Sequence, residues 1–125
     1  GDVNGDGFDD LLLGAPAPVF GAYDDPGEVA VIFGHAGDFA PELRPDDLDG
    51  GNGFRLVSPA DDFALGLSLG DAGDMNGDGL ADFFVVARDD LSGNGEVFVV
   101  FGREGAFGAT CDLATLDGSN GLRIM

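Results

Sequence analysis

Tryptophan and lysine are absent from this chain, and cysteine, histidine and tyrosine occur once each. A lone Cys111 supports neither a disulfide framework nor a zinc cluster, so it reads as a small buried side chain. His35 follows a strand-ending Gly34 and reads as a turn histidine. Ser58, Ser68, Ser92 and Ser119 lack a histidine partner or the setting of an activated hydroxyl. Asp61–Asp62 and Asp89–Asp90 sit in Gly- or Ser-bounded turns, where carboxylates are ordinary. Catalysis by this chain is therefore not expected.

Other absences narrow the class further. No apolar run is long enough to cross a membrane. No stretch combines a helical apolar period with caps, apart from a short turn that would fit PDDLD at 45–49. All five basic side chains are arginines, set against 24 Asp and Glu, for a formal net charge of −19. A nucleic-acid or anionic-membrane partner needs a basic surface and is excluded. The acidity divides between candidate metal ligands and a solvated face suited to solubility or high salt. No leader is visible and the chain starts inside a motif, so it reads as a fragment of something larger.

What the chain has in excess is glycine, 23 of 125 residues, more than twice the usual ~7%. The glycines follow no period of three and read as tight turns between short strands. The chain also repeats itself. DVNGDG at 2–7 returns as DMNGDG at 74–79, an offset of 72. GEVAVIFG at 27–34 returns as GEVFVVFG at 95–102, and LDGGNGFRL at 48–56 as LDGSNGLRI at 116–124, both at an offset of 68. The change of offset places four extra residues of the first copy within PAPVFGAYDDPG.

Each copy predicts short strands rich in Val, Ile and Phe. They are Asp10–Gly14, Glu28–Phe33 and Phe54–Val57, then Ala64–Leu69, Asp82–Ala87, Glu96–Phe101 and Leu122–Met125. The expected fold is all-β, made of four-stranded antiparallel propeller blades. Two blades are expected: 1–62, lacking its leading strand, and 63–125. Two repeats would leave apolar faces uncovered, which implies further blades in the parent chain or in other chains.

The repeated acidic stretch carries the chemistry. GDVNGDGFDD offers Asp2, Asn4, Asp6 and Asp10 with the Phe8 carbonyl. GDMNGDGLAD offers Asp74, Asn76, Asp78 and Asp82 with the Leu80 carbonyl. Oxygens at loop positions 1, 3, 5, 7 and 9 suit Ca²⁺, a hard cation of flexible geometry. An EF-hand is excluded, because position 12 is Leu13 or Val85 rather than Glu and lies in a strand. The competing reading is a set of Asx-turns without a metal. Asp9 becomes Ala81 in the second copy and is set outside the ligand ladder.

GDVNGDGFDDLLLGAP followed by GEVAVIFG resembles the FG-GAP repeat family of integrin alpha-subunit β-propellers and many bacterial extracellular proteins. The resemblance implies seven-bladed closure and a Ca²⁺ loop in each blade's hairpin, hence about two Ca²⁺ ions here on the residues just named. It also implies a secreted or cell-surface protein with protein or carbohydrate ligands in adhesion. The alternative is a purely structural Ca²⁺-stabilised scaffold or spacer attached to another domain, catalytic or not. The second copy departs from the pattern at Leu65–Gly66, where the family has Phe-Gly, and at Val86–Ala87–Arg88. Phe20 and Tyr23, beside Asp24 and Asp25, make 16–27 a candidate recognition loop.

Overall fold

The structure is a computed structural model that describes residues 1–15, 27–58, 63–89, 93–105 and 107–125. Phe20, Tyr23, Asp24, Asp25, Asp61, Asp62, Asp90 and Ser92 lie outside the described residues, as do the side chains of Phe63 and Asp89.

Among the described residues, eight strands form two four-stranded sheets. The first has the order β1 (Leu11–Ala15), β2 (Glu28–Ile32), β3 (Gly53–Val57), β7 (Thr110–Asp112). The second has the order β4 (Phe63–Gly73), β5 (Asp82–Asp89), β6 (Gly95–Val100), β8 (Gly121–Ile124). Seven strands fall on the expected runs, with ends displaced by at most four residues. Among the described residues helix is confined to single 3-10 turns at Pro45–Asp47 and Leu113–Thr115.

The second sheet is an antiparallel meander, the expected blade. The first sheet departs from that expectation at its edge. Its own three strands are antiparallel, but β7 from the second copy pairs with β3 in parallel, Arg55 opposite Thr110 and Val57 opposite Asp112. The long connection before β8 thus reaches back and closes the neighbour's edge. This also satisfies ladder groups that an edge strand leaves open. The Arg55 amide donates to the Ala109 carbonyl at 3.0 Å, continuing the same join.

Strand β4 runs past its apolar ALGLSL core to Gly73 because it is bulged. Its register against β5 slips between Leu65 and Ser68, where Gly66 has a φ of +84°, a left-handed conformation open to glycine.

The core lies between the two sheets. Val29, Val31, Phe54 and Leu56 of the first sheet face Leu65, Phe83, Val85 and Ala87 of the second. Phe54 is its hub, with ring centroids 6.4 Å from Phe83 and 4.4 Å from Phe107, the latter pair stacked. Two glycines mark how closely the sheets approach. A Cβ on Gly14 would stand 2.5 Å from a Leu69 methyl, and one on Gly102 2.7 Å from the Val3 carbonyl oxygen. Cys111 is half-buried against this core, and burial pushes its thiol pKa up, which leaves it an inert packing group.

Candidate functional site

Both acidic loops fold into one hydrogen-bond pattern. In the first, Asp2 Oδ1 accepts from the amides of Gly5 at 2.8 Å and Asp6 at 3.2 Å, and Asp2 Oδ2 accepts from Gly7 at 2.8 Å. The Asn4 amide donates to Asp6 Oδ2 at 3.1 Å, while Asp6 Oδ1 accepts from the Phe8 amide at 2.9 Å. In the second, Asp74 accepts from Asp78 at 3.0 Å and Gly79 at 2.8 Å. Asn76 donates to Asp78 at 3.2 Å, and Asp78 accepts from Leu80 at 2.9 Å. Each loop turns on two glycines of positive φ, Gly5 and Gly7 at +76° and +89°, Gly77 and Gly79 at +75° and +88°. A Cβ at these places would be strained, which explains why Gly recurs in both copies.

Asp10 and Asp82 act at the far end of the loops. Asp10 accepts from the Val3 amide at 2.7 Å and the Gly34 amide at 3.0 Å. Asp82 accepts from Met75 at 2.7 Å and Gly102 at 2.9 Å. Each therefore staples its loop to the end of the next strand but one. Burial pushes the Asp10 carboxyl up, and repulsion from Asp6 and Asp2 adds to this, against the lowering by its two backbone donors.

The structure thus interlocks Asp2, Asn4 and Asp6, and likewise Asp74, Asn76 and Asp78. The backbones of Phe8 and Leu80 are tied in through their amides. Asp10 and Asp82 have both carboxylate oxygens engaged by backbone amides. Among the described residues no group of three or more His, Cys, Asp or Glu side chains is gathered as a ready-made cation cage. The donor set itself is all oxygen, from carboxylates and a carboxamide, and fits a hard cation rather than zinc or copper.

The third repeated motif has a local role that its sequence did not announce. Asp49 accepts from the Gly51 and Asn52 amides at 2.8 and 3.2 Å, and Asp117 accepts from the Ser119 amide at 2.9 Å and its hydroxyl at 2.6 Å. Asn52 and Asn120 return the favour to the amides of Asp49 and Asp117 at 2.9 and 3.0 Å. These bonds hold both carboxyls below the ordinary aspartate range, Gly51 leading at Asp49 and the Ser119 hydroxyl at Asp117. The D-G-x-N-G spacing was the available signal, since Asp and Asn close such turns.

His35 sits in an exposed turn, its Nδ1 2.9 Å from the Ala36 carbonyl and its ring 4.0 Å from that of Phe39. Ser119 is spent on its turn. Neither forms a nucleophile–base pair.

Residues 1–32 match the FG-GAP repeat. Integrin alpha-E of Mus musculus is 35% identical over 95 residues, covering 71% of this chain and 7% of the integrin. Integrin alpha-PS2 of Drosophila melanogaster is 37% identical over 107 residues, 81% of this chain and 7% of the integrin. The chain belongs to the FG-GAP repeat family. Its two four-stranded sheets are the β-propeller blades of that family. The rat integrin alpha-7 gives a further FG-GAP relative, 35% identical over 81% of this chain. The chain spans less than a tenth of the length of these curated relatives. No solved structure matches it.

Proposed function

We propose that the chain is a calcium-binding β-propeller repeat module of an extracellular protein, acting in adhesion or in protein or carbohydrate recognition. The observation that carries this reading is the recurrence of one interlocked oxygen-donor loop at equivalent places in both units of an FG-GAP protein. The units are the repeats 1–62 and 63–125. One Ca²⁺ per loop would be held by Asp2, Asn4, Asp6, the Phe8 carbonyl and Asp10, and by Asp74, Asn76, Asp78, the Leu80 carbonyl and Asp82. The cation would relieve repulsion among carboxylates that the fold brings close together. The protein is secreted or cell-surface, and this chain has no catalytic role.

A second reading, a calcium-stabilised scaffold spacing another domain, draws support from the tie between the first loop and the second unit. The Asp2 carbonyl accepts from the Ala81 amide at 3.0 Å and the Val3 carbonyl from the Arg103 amide at 2.9 Å. Calcium titration monitored by thermal unfolding tests the shared premise. A rise in midpoint with Ca²⁺, reduced in Asp6→Ala and in Asp78→Ala, is expected. An unchanged midpoint overturns it in favour of metal-free Asx-turns. Replacing residues 16–27 then separates the two roles: recognition is lost on the first reading and retained on the second.

A further inference from the structure

We infer that Asn76 is a site of spontaneous deamidation, which leaves an aspartate or isoaspartate at that place in the second acidic loop. The modification stands apart from the cation, and only its consequence rests on the repeat-module reading.

In an Asn-Gly pair the backbone amide can close on the preceding carboxamide, because glycine places no Cβ in the way. Four such pairs lie in the repeated motifs, at Asn4, Asn52, Asn76 and Asn120. The reaction needs the Asn carboxamide carbon as electrophile and the following glycine nitrogen as nucleophile. In the third motif the electrophile is tied back. Asn52 accepts from the Asp49 amide at 2.9 Å and donates to the Asp47 carbonyl at 2.9 Å. Asn120 accepts from the Asp117 amide at 3.0 Å and donates to the Thr115 carbonyl at 3.1 Å. Both carboxamides are thus held at each end by residues that precede them.

In the acidic loops the carboxamide leans on residues that follow it. Asn4 accepts from the Asp6 amide at 3.3 Å and donates to the Asp6 carboxylate at 3.1 Å. Asn76 meets Asp78 in the same way at 3.3 and 3.2 Å. The electrophiles are matched, and the nucleophiles are not. The Gly5 amide donates to Asp2 Oδ1 at 2.8 Å. The Gly77 amide has no acceptor among the described residues, and Asp74 Oδ1 accepts from the Asp78 amide at 3.0 Å. An amide that loses its proton against a carboxylate creates a second negative charge there, which the first disfavours. Gly5 is restrained in this way and Gly77 is not.

Water is the only co-reactant. The Gly77 nitrogen gives up its proton to solvent and bonds to Asn76 Cγ, and the Cγ–Nδ2 bond breaks as ammonia leaves with a proton from solvent. Water then opens the cyclic imide. Entry at Cγ leaves aspartate, and entry at the main-chain carbonyl carbon leaves isoaspartate, with the backbone rerouted through Cγ. Aspartate adds a carboxylate to Asp74, Asp78 and Asp82, whereas isoaspartate lengthens the loop backbone by a methylene. A Ca²⁺ ion on Asn76 Oδ1 would fix the carboxamide, so the modification accumulates during time spent without calcium.

The test is incubation of the whole chain with a chelator at mildly alkaline pH, then proteolysis and mass spectrometry that separates asparagine, aspartate and isoaspartate at each position. Asn76 is expected to convert about fivefold faster than Asn4, the factor one backbone hydrogen bond contributes. Asn52 and Asn120 should be slower than either. In urea that unfolds the chain Asn4 and Asn76 should converge, since their neighbours are nearly the same. Asn4 converting as fast as Asn76 in the folded chain overturns the inference, and so does a difference that survives in urea. Repeating the incubation in saturating calcium should slow Asn76. An unchanged rate there sinks the cation at that loop and leaves the modification standing. No conversion at Asn76 with the chelator sinks the modification alone.

Discussion

Residues 2–10 and 74–82 have nearly the same sequence and share most of their internal hydrogen bonds, yet their surroundings differ. Val3 is buried in the core between the units, and Met75, in the equivalent place, is exposed. The carbonyls of Asp2 and Val3 accept amides from the second unit. An identical motif therefore stabilises different things in the two positions: a join in one case, a surface hairpin in the other. What a repeat contributes depends on its neighbour as much as on its own residues, as expected where stability is a sum of unit and interface terms.

The sharpest way to break this comparison is to truncate two phenylalanines at the same repeat position, Phe107, which is buried, and Phe39, which is exposed. Phe107→Ala should cost about 3–5 kcal/mol, the usual range for a buried Phe, read from urea unfolding. Phe39→Ala should stay within about 0.5 kcal/mol, as for exposed sites. Equal losses would mean that the two units are not in the unequal environments described.

Calcium provides the next largest contrast. A site occupied at a hundred times its Kd adds about 2.7 kcal/mol to stability, so chelation should lower the unfolding free energy by about that much per loop, read as a fall in the thermal midpoint. Asp6→Ala should cost more than Asp78→Ala, by about 1 kcal/mol for each inter-unit backbone bond it loosens. Identical losses from the two variants would detach the first loop from the join.

The smallest effect should be symmetric. Asp49 and Asp117 have carboxyl pKa values held below the ordinary 3.8. Their contribution to stability is present above that value and is lost as pH falls through the lowered folded-state value. Asp49→Ala and Asp117→Ala should each flatten that part of the acid unfolding profile, and to a similar extent. A strong difference between them would show that these turns also feel the join.

Much of this was legible in the sequence because strands and turns are local. The apolar runs of β2 and β6 end at Gly34 and Gly102, and the D-x-N-x-D-G loops carry their own turn chemistry. Strand β7 was not legible. Thr110–Cys111–Asp112 has no apolar alternation, and it is extended because the β3 edge templates it. Asp10 and Asp82 were read only as ligands, since their partners Gly34 and Gly102 are 24 and 20 residues on, met across the open ends of the β1–β2 and β5–β6 hairpins. The extra length of β4 was hidden by its bulge, where the glycines of LGLSLGDAG read as a strand end.

The parallel strand between β3 and β7 also sets a timetable. As the chain is synthesised from its N-terminus, β1, β2 and β3 emerge together, but residues 110–112 follow only after the whole second sheet's first three strands. At ordinary elongation rates of about 5–20 residues per second, the β3 edge waits on the order of several seconds for its partner. During that interval it is an open strand margin with Phe54 uncovered, the kind of surface that invites mispairing with another nascent copy. Two neighbouring chains on one messenger could therefore exchange their 110–112 segments before either is finished. The strap that joins the units in the finished protein is, during its birth, the last thing to arrive.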